Sequence, residues 1–255
     1  MISQLTVDTL PWSAFCDTER EDARQIQRSL VSTGPLSGPS FEIACRYSPL
    51  AEVGGDFFDF FNLPNGSVGI YAGDVVGKGL AAAMYAALVM GTLRGIHKSG
   101  EQTADVLALL NRRLRVRPIA GRYCATLYSL FDPATRELSF SMAGLPFPLL
   151  VTETGCTPLG DGGFPSGLLD DSLYDQHKVR LSPGDAVLFA TDGIYELENH
   201  RGKIFNDGPL FDLWQEGRKK SAEESLEHLF EGVRLFLDGA PQQDDIAAVV
   251  LKVSG

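Results

Sequence analysis

Residues 71–84 read YAGDVVGKGLAAAM. An apolar strand pattern runs into Asp74, glycines follow at 77 and 79, and a small-residue helix pattern begins at Leu80. Two readings fit: a loop cradling nucleotide phosphates, or a carboxylate presented to a cation at a strand end. The run from Gly77-Lys78-Gly79 to Ala82 meets the loose G-x-G-x-x-A pattern of dinucleotide loops. Against that reading, Asp74 puts negative charge beside the pyrophosphate, and no parallel strand ending in an acidic residue follows the helix. A P-loop is excluded, because three residues separate Gly73 from Gly77 and Gly79 stands where Ser or Thr should follow Lys78.

Other aspartates share the setting of Asp74. Asp56 lies in EVGGDFFDFF, Asp192 ends AVLFATD, and Asp244 with Asp245 opens DDIAAVVLKV. A carboxylate drawn among apolar residues costs several kcal/mol or shifts its pKa unless a cation or hydrogen-bond donors meet it. Lys78 is the one basic residue near any of them in the sequence. The turn-rich NLPNG between two strand patterns signals a hairpin that sets Asp56 opposite Asp74. Directly opposed residues have Cβ atoms roughly 5 Å apart, where like charges repel. Such a pair wants a shared proton or a shared metal. With oxygen ligands on offer and neither a Cys nor a His cluster, Mg²⁺ or Mn²⁺ is favoured over Zn²⁺. Gly54, Gly55, Gly73 and Gly193 are then expected to bring the backbone close to the ions. Asp59, Asp132, Asp170 and Asp171 read as ordinary turn or strand-end aspartates. Lys78 reads as a solvated loop lysine, with contact to a substrate phosphate as the alternative.

The rest of the chain predicts an α+β order. TEREDARQIQRSLV from Thr18 has helical apolar spacing and precedes the flexible-looking STGPLSGPS. FEIACRYSPL, VGGDFFDFF and SVGIYAGD read as strands. A helix from Leu80 to about His97, apolar nearly all round, is expected to be buried. ADVLALLNRRLRV is a second helix, and RYCATLYSLF, LSFSMAG, HKVRLS and PGDAVLFATD form a second strand block. A helix opened by Ser221, with Glu224 completing a capping box, precedes a last strand in DDIAAVVLKV. Strand blocks interrupted by helix blocks favour stacked antiparallel sheets over a doubly wound sheet.

Composition narrows the partners. The chain has 255 residues, 44% hydrophobic and 22% charged, with a formal charge of -11. That balance argues against nucleic acid, whose phosphates are held by Lys and Arg. The N-terminus lacks a basic start and apolar segment, and the run from Leu80 to Leu93 looks too short for a bilayer, so a cytoplasmic protein without membrane contact is expected. Cys16, Cys45, Cys124 and Cys156 are dispersed, as reduced thiols would be. His97, His177, His200 and His228 read as packing or surface residues.

The ordered series IQRSLV, EVGGDFFDFF, GDVVGKGLAAAM, FATDGIYE and QQDDIAAVVL resembles the bacterial PPM-type (type 2C-like) serine/threonine phosphatases of the SpoIIE and RsbU class. That resemblance implies a four-layer αββα sandwich over residues 39–255, with residues 1–38 an extension whose helix relays signals or mediates homodimerisation. It implies two Mn²⁺ or Mg²⁺ ions bridged by Asp74, with the Val75 carbonyl beside it, Asp56 on one ion, and Asp192 and Asp244 on the other. Asp245 is kept as a possible ligand. The implied substrate is a phosphoserine or phosphothreonine on a regulatory protein, typically a STAS-type anti-sigma factor antagonist. Where the family usually has Ala-Gly-His, this chain has Ala143-Gly144-Leu145; Ser166 replaces the usual Leu of Pro-Leu-Gly, and Ala247 a common Thr. A non-catalytic relative that binds the same partners therefore stands as the alternative, with a nucleotide-binding loop at Gly77-Lys78-Gly79 as a remoter one.

Overall fold

A computed structural model describes residues 17–32, 34–97 and 102–254; Cys16 and the earlier part of the expected extension lie outside them. Two antiparallel sheets form the middle of the molecule. The first has β1 (Leu36–Gly38), β2 (Phe41–Ser48), β7 (Leu149–Thr152), β8 (Gly155–Pro158), β10 (Ala186–Ala190) and β11 (Ile246–Val253), in the order β1-β2-β11-β10-β7-β8. The second has β3 (Phe57–Asn62), β4 (Val68–Val75), β5 (Cys124–Asp132), β6 (Glu137–Ala143) and β9 (His177–Arg180), in the order β3-β4-β5-β6-β9. Helices α2 (Gly79–Ile96) and α3 (Thr103–Arg115) pack on the second sheet, and α5 (Pro209–Gly217) and α6 (Ala222–Leu237) on the first. Helix α1 (Asp17–Leu30) lies on α2, and the short α4 (Asp192–Tyr195) follows β10. The four-layer αββα sandwich is therefore present.

Strand β11 shows why the layers stack. Val249, Leu251 and Val253 join the core between the sheets, while Ile246, Ala248 and Val250 join the core beneath α5 and α6. A strand covered on both faces favours apolar side chains throughout, so residues 246–251 read as a continuous apolar run, and Lys252 near the strand end donates to the Arg218 carbonyl. Ser221 and Glu224 form the expected capping box at the start of α6.

Several sequence expectations change. The strand expected over VGGDFFDFF begins at Phe57, because the backbone of Gly54 is engaged by Gln27 and that of Gly55 by Asp245. The Pro183-Gly184 turn joins β9 to β10 and carries the chain from one sheet to the other, since β9 pairs with β6 and β10 with β7 and β11. STGPLSGPS contains β1, held by backbone pairing to β2. Helix α2 is not buried all round: Tyr85, Val89 and Leu93 face the core, whereas Met84 and Leu88 are 68% and 52% exposed. It also runs through Arg94 to Ile96, long and apolar enough by length and composition to cross a membrane, yet it packs against α3 and β4 as a core helix.

Candidate metal centre

The hairpin of β3 and β4 builds one side of the site. Phe57 pairs with Gly73, so Asp56, one residue before β3, stands across from Asp74 near the end of β4. The first sheet supplies the other side: β10 ends at Ala190 and Asp192 opens α4. Carboxylate oxygens of Asp56, Asp74 and Asp192 all lie within 4.8 Å of one another. Burial, with the charge of Asp74, pushes the Asp56 carboxyl well up. Burial and the neighbouring Asp192 raise Asp74 to about 7, and burial with Glu196 and Asp244 raises Asp192. Each carboxylate lies in surroundings that penalise its own charge, which a bound cation relieves.

The cradle is shaped for close approach. A Cβ on Gly55 would lie 2.8 Å from the Val75 carbonyl oxygen and 3.1 Å from Asp74 Oδ1, so any side chain there would crowd the oxygens. A hard, all-oxygen donor set with glycine against it fits Mg²⁺ or Mn²⁺. The other glycines serve packing instead. Gly54 and Gly193 lie against the side chain and carbonyl of Asp245, and Gly73 lies beneath the Phe57 ring.

The remaining predicted residues sit differently. Asp244 is beside the cluster but paired with Lys78, whose Nζ is 2.8 Å from its Oδ2 and donates to the Gln243 carbonyl at 2.8 Å. Lys78 is thus not a free loop lysine, and its ammonium turns toward acidic groups. Asp245 is buried with both oxygens occupied: Oδ1 accepts from the Leu50 amide at 2.7 Å and Oδ2 from the Gly55 amide at 2.9 Å. Its place is that of a latch on the loop preceding Asp56.

Two residues escaped the sequence reading. Thr191 is fully buried; its Oγ1 donates to Asp56 Oδ2 at 2.5 Å and accepts from the Ala247 amide at 2.9 Å, joining the two sheets at the site. The only signal was its place before Asp192, where it is the N-cap of α4. Asp59, expected to be an ordinary aspartate, is buried and accepts from Tyr71 Oη at 3.1 Å, Arg94 Nη2 at 2.8 Å and Ser32 Oγ at 2.5 Å. Leu145, Ser166 and Ala247 are all buried: Ser166 pairs its backbone with Cys124, and Ala247 accepts from the Thr191 amide and donates its own amide to Thr191 Oγ1.

A family profile described as Stage II sporulation protein E (SpoIIE) matches residues 64–254. The phosphoserine phosphatase RsbU of Bacillus subtilis (strain 168) is 24% identical over 238 residues, which cover 92% of this chain and 70% of RsbU. Among solved structures, the SiaA-PP2C domain of Pseudomonas aeruginosa superposes with a TM-score of 0.80 at 18% identity, covering 92% of this chain and 95% of that one. The RsbU and RsbW domains of Rv1364c from Mycobacterium tuberculosis give 0.72 at 25% identity, covering 85% of this chain; this chain spans 60% of that one. The chain belongs to the SpoIIE family and carries its PP2C-type phosphatase fold.

Proposed function

We propose that this chain is a metal-dependent protein serine/threonine phosphatase that hydrolyses phosphoserine or phosphothreonine on a regulatory protein. One observation carries the reading: three carboxylates from separate elements converge within 4.8 Å, each pushed toward protonation by burial and by its neighbours. Two Mn²⁺ or Mg²⁺ ions held there would supply Lewis acidity and a nucleophilic water at neutral pH. Asp56, Asp74 and Asp192 would hold them, with the Val75 carbonyl beside Asp74 as a further oxygen donor. Thr191 fixes Asp56 through its hydroxyl, and Asp245 keeps the preceding loop in place. Asp244, paired with Lys78 at 2.8 Å beside the cluster, would be a further ligand, and the Lys78 ammonium would then be available to a substrate phosphate. Within this proposal residues 39–255 form the phosphatase domain, and the substrate class is a STAS-type anti-sigma factor antagonist. Residues 1–38 contribute the helix through which a second copy or a sensor domain acts, a role supported by Ile26 of α1 being 63% exposed.

Release of phosphate from a phosphoserine peptide tests the reading. Turnover should require Mn²⁺ or Mg²⁺ and fall at least about 100-fold in Asp74→Asn, since several kcal/mol of charge stabilisation are removed. A folded wild-type protein inert in both metals would point to a partner-binding module instead.

A further inference from the structure

Beside the carboxylates lies a groove of about 720 Å³. Its walls include Phe147, from the segment between β6 and β7, Ile204 from the loop before α5, and Phe211 on α5. Asp192 also lines it, so the groove and the carboxylate cluster share one residue. Helix α4 makes the connection. Residues three and four apart share a helix face, and Asp192, Tyr195 and Glu196 all border the same cavity. Tyr195 Oη donates to the Phe147 carbonyl at 2.8 Å, so the apolar wall and a member of the carboxylate cluster are fastened to one short element.

The chemistry of the lining selects an occupant. Its charged residues are Asp192 and Glu196, with no Lys or Arg among the lining residues. Phe147 is 40% exposed, an aromatic ring standing in a concavity rather than on an open face. A volume of this size takes several side chains or one small molecule. A ligand with its phosphate at the carboxylates has this groove beside it, on the Asp192 side, to receive its adjoining atoms. A polypeptide advances roughly 3.3–3.6 Å per residue when extended, so residues within a few positions of the phosphorylated one come alongside Phe147 and Glu196.

We propose that this groove binds the polypeptide flanking the phosphorylated residue, seating an apolar side chain among Phe147, Ile204 and Phe211 and a Lys or Arg beside Glu196. The proposal rests on the phosphatase reading for the position of the phosphate, but its peptide preference is measurable without turnover. Peptides carrying the non-hydrolysable phosphonomethyl analogue of phosphoserine, with Leu or Gly placed at each of three positions on either side, would be titrated by fluorescence anisotropy in Mn²⁺. At one or two positions Leu should bind about tenfold tighter than Gly, the affinity that burying one such side chain supplies. Phe147→Ser should erase that difference, Ile204→Ser serving as the second variant with circular dichroism confirming both folds, and Glu196→Lys should reverse a preference for a neighbouring Lys over Asp. Equal binding of Leu and Gly peptides at every position, a difference that survives both Ser variants, or no peptide binding at all overturns the proposal. Turnover of p-nitrophenyl phosphate in the same preparation separates the two readings. If it is absent while the Leu preference holds, the phosphatase reading fails and the groove stands.

Discussion

Thr191 and Gly193 flank Asp192 and hold it from both sides. Thr191 spans to Asp56, and Gly193 rests so near β11 that an added Cβ would lie 1.8 Å from the Asp245 carbonyl oxygen. That oxygen belongs to the backbone and cannot rotate away. Gly193→Ala should therefore destabilise the fold by about 1–3 kcal/mol, the usual range for overpacking, and weaken Mn²⁺ binding together with it. Urea unfolding and titration calorimetry would measure both, and a variant with wild-type values in each would show that the contact relaxes. The glycine was conspicuous in FATDG, but its reason was not. Asp245, the residue it touches, is far along the chain, and the expectation that Gly193 faces the ions fails because the strand behind it is closer.

Among elements, β3 depends on Asp59 as much as on its own register. That carboxylate gathers Tyr71 from β4, Arg94 from α2 and Ser32 just after α1, while Arg94 Nη2 also reaches the Leu30 carbonyl. Asp59→Ala leaves the guanidinium without its carboxylate, with the Leu30 carbonyl as its remaining acceptor, and loss of a hydrogen bond to a charged group costs about 1.5–3 kcal/mol. The loss should concentrate where α1 meets the domain. Hydrogen exchange in α1 should quicken more than in β5 or β11, and uniform protection would refute this role. In sequence Asp59 cannot be told from Asp132, which caps a local turn through Thr135 and the Ala134 amide. The hairpin was legible because turn chemistry and alternation are local; the Asp59 network was not, because its partners arrive from three other elements.

For the whole molecule, the acidic cluster couples stability to pH and metal. Asp74 rises from the usual 3.8 to about 7, and Asp56 moves the same way. The metal-free native state thus holds protons that the unfolded chain releases above about pH 4, so these groups favour folding at low pH and lose that contribution as pH climbs through about 7. In chelator, Tm should fall between pH 5 and pH 8. Added Mn²⁺ should raise Tm more at pH 8 than at pH 5, because ions and protons compete for the same oxygens. A pH-independent metal effect would contradict this. Sequence alone determined the α+β sandwich, the hairpin register that opposes Asp56 to Asp74, and the oxygen-rich character of the site, since periodicity, turn residues and residue type act over short stretches of chain. Only the tertiary structure decided that Asp244, expected beside Asp192, turns to Lys78, that Asp245 latches a loop, and that α4 joins the centre to an apolar groove. Those outcomes depend on how two sheets from distant segments stack, and the contacts that decide them do not exist until the layers have closed.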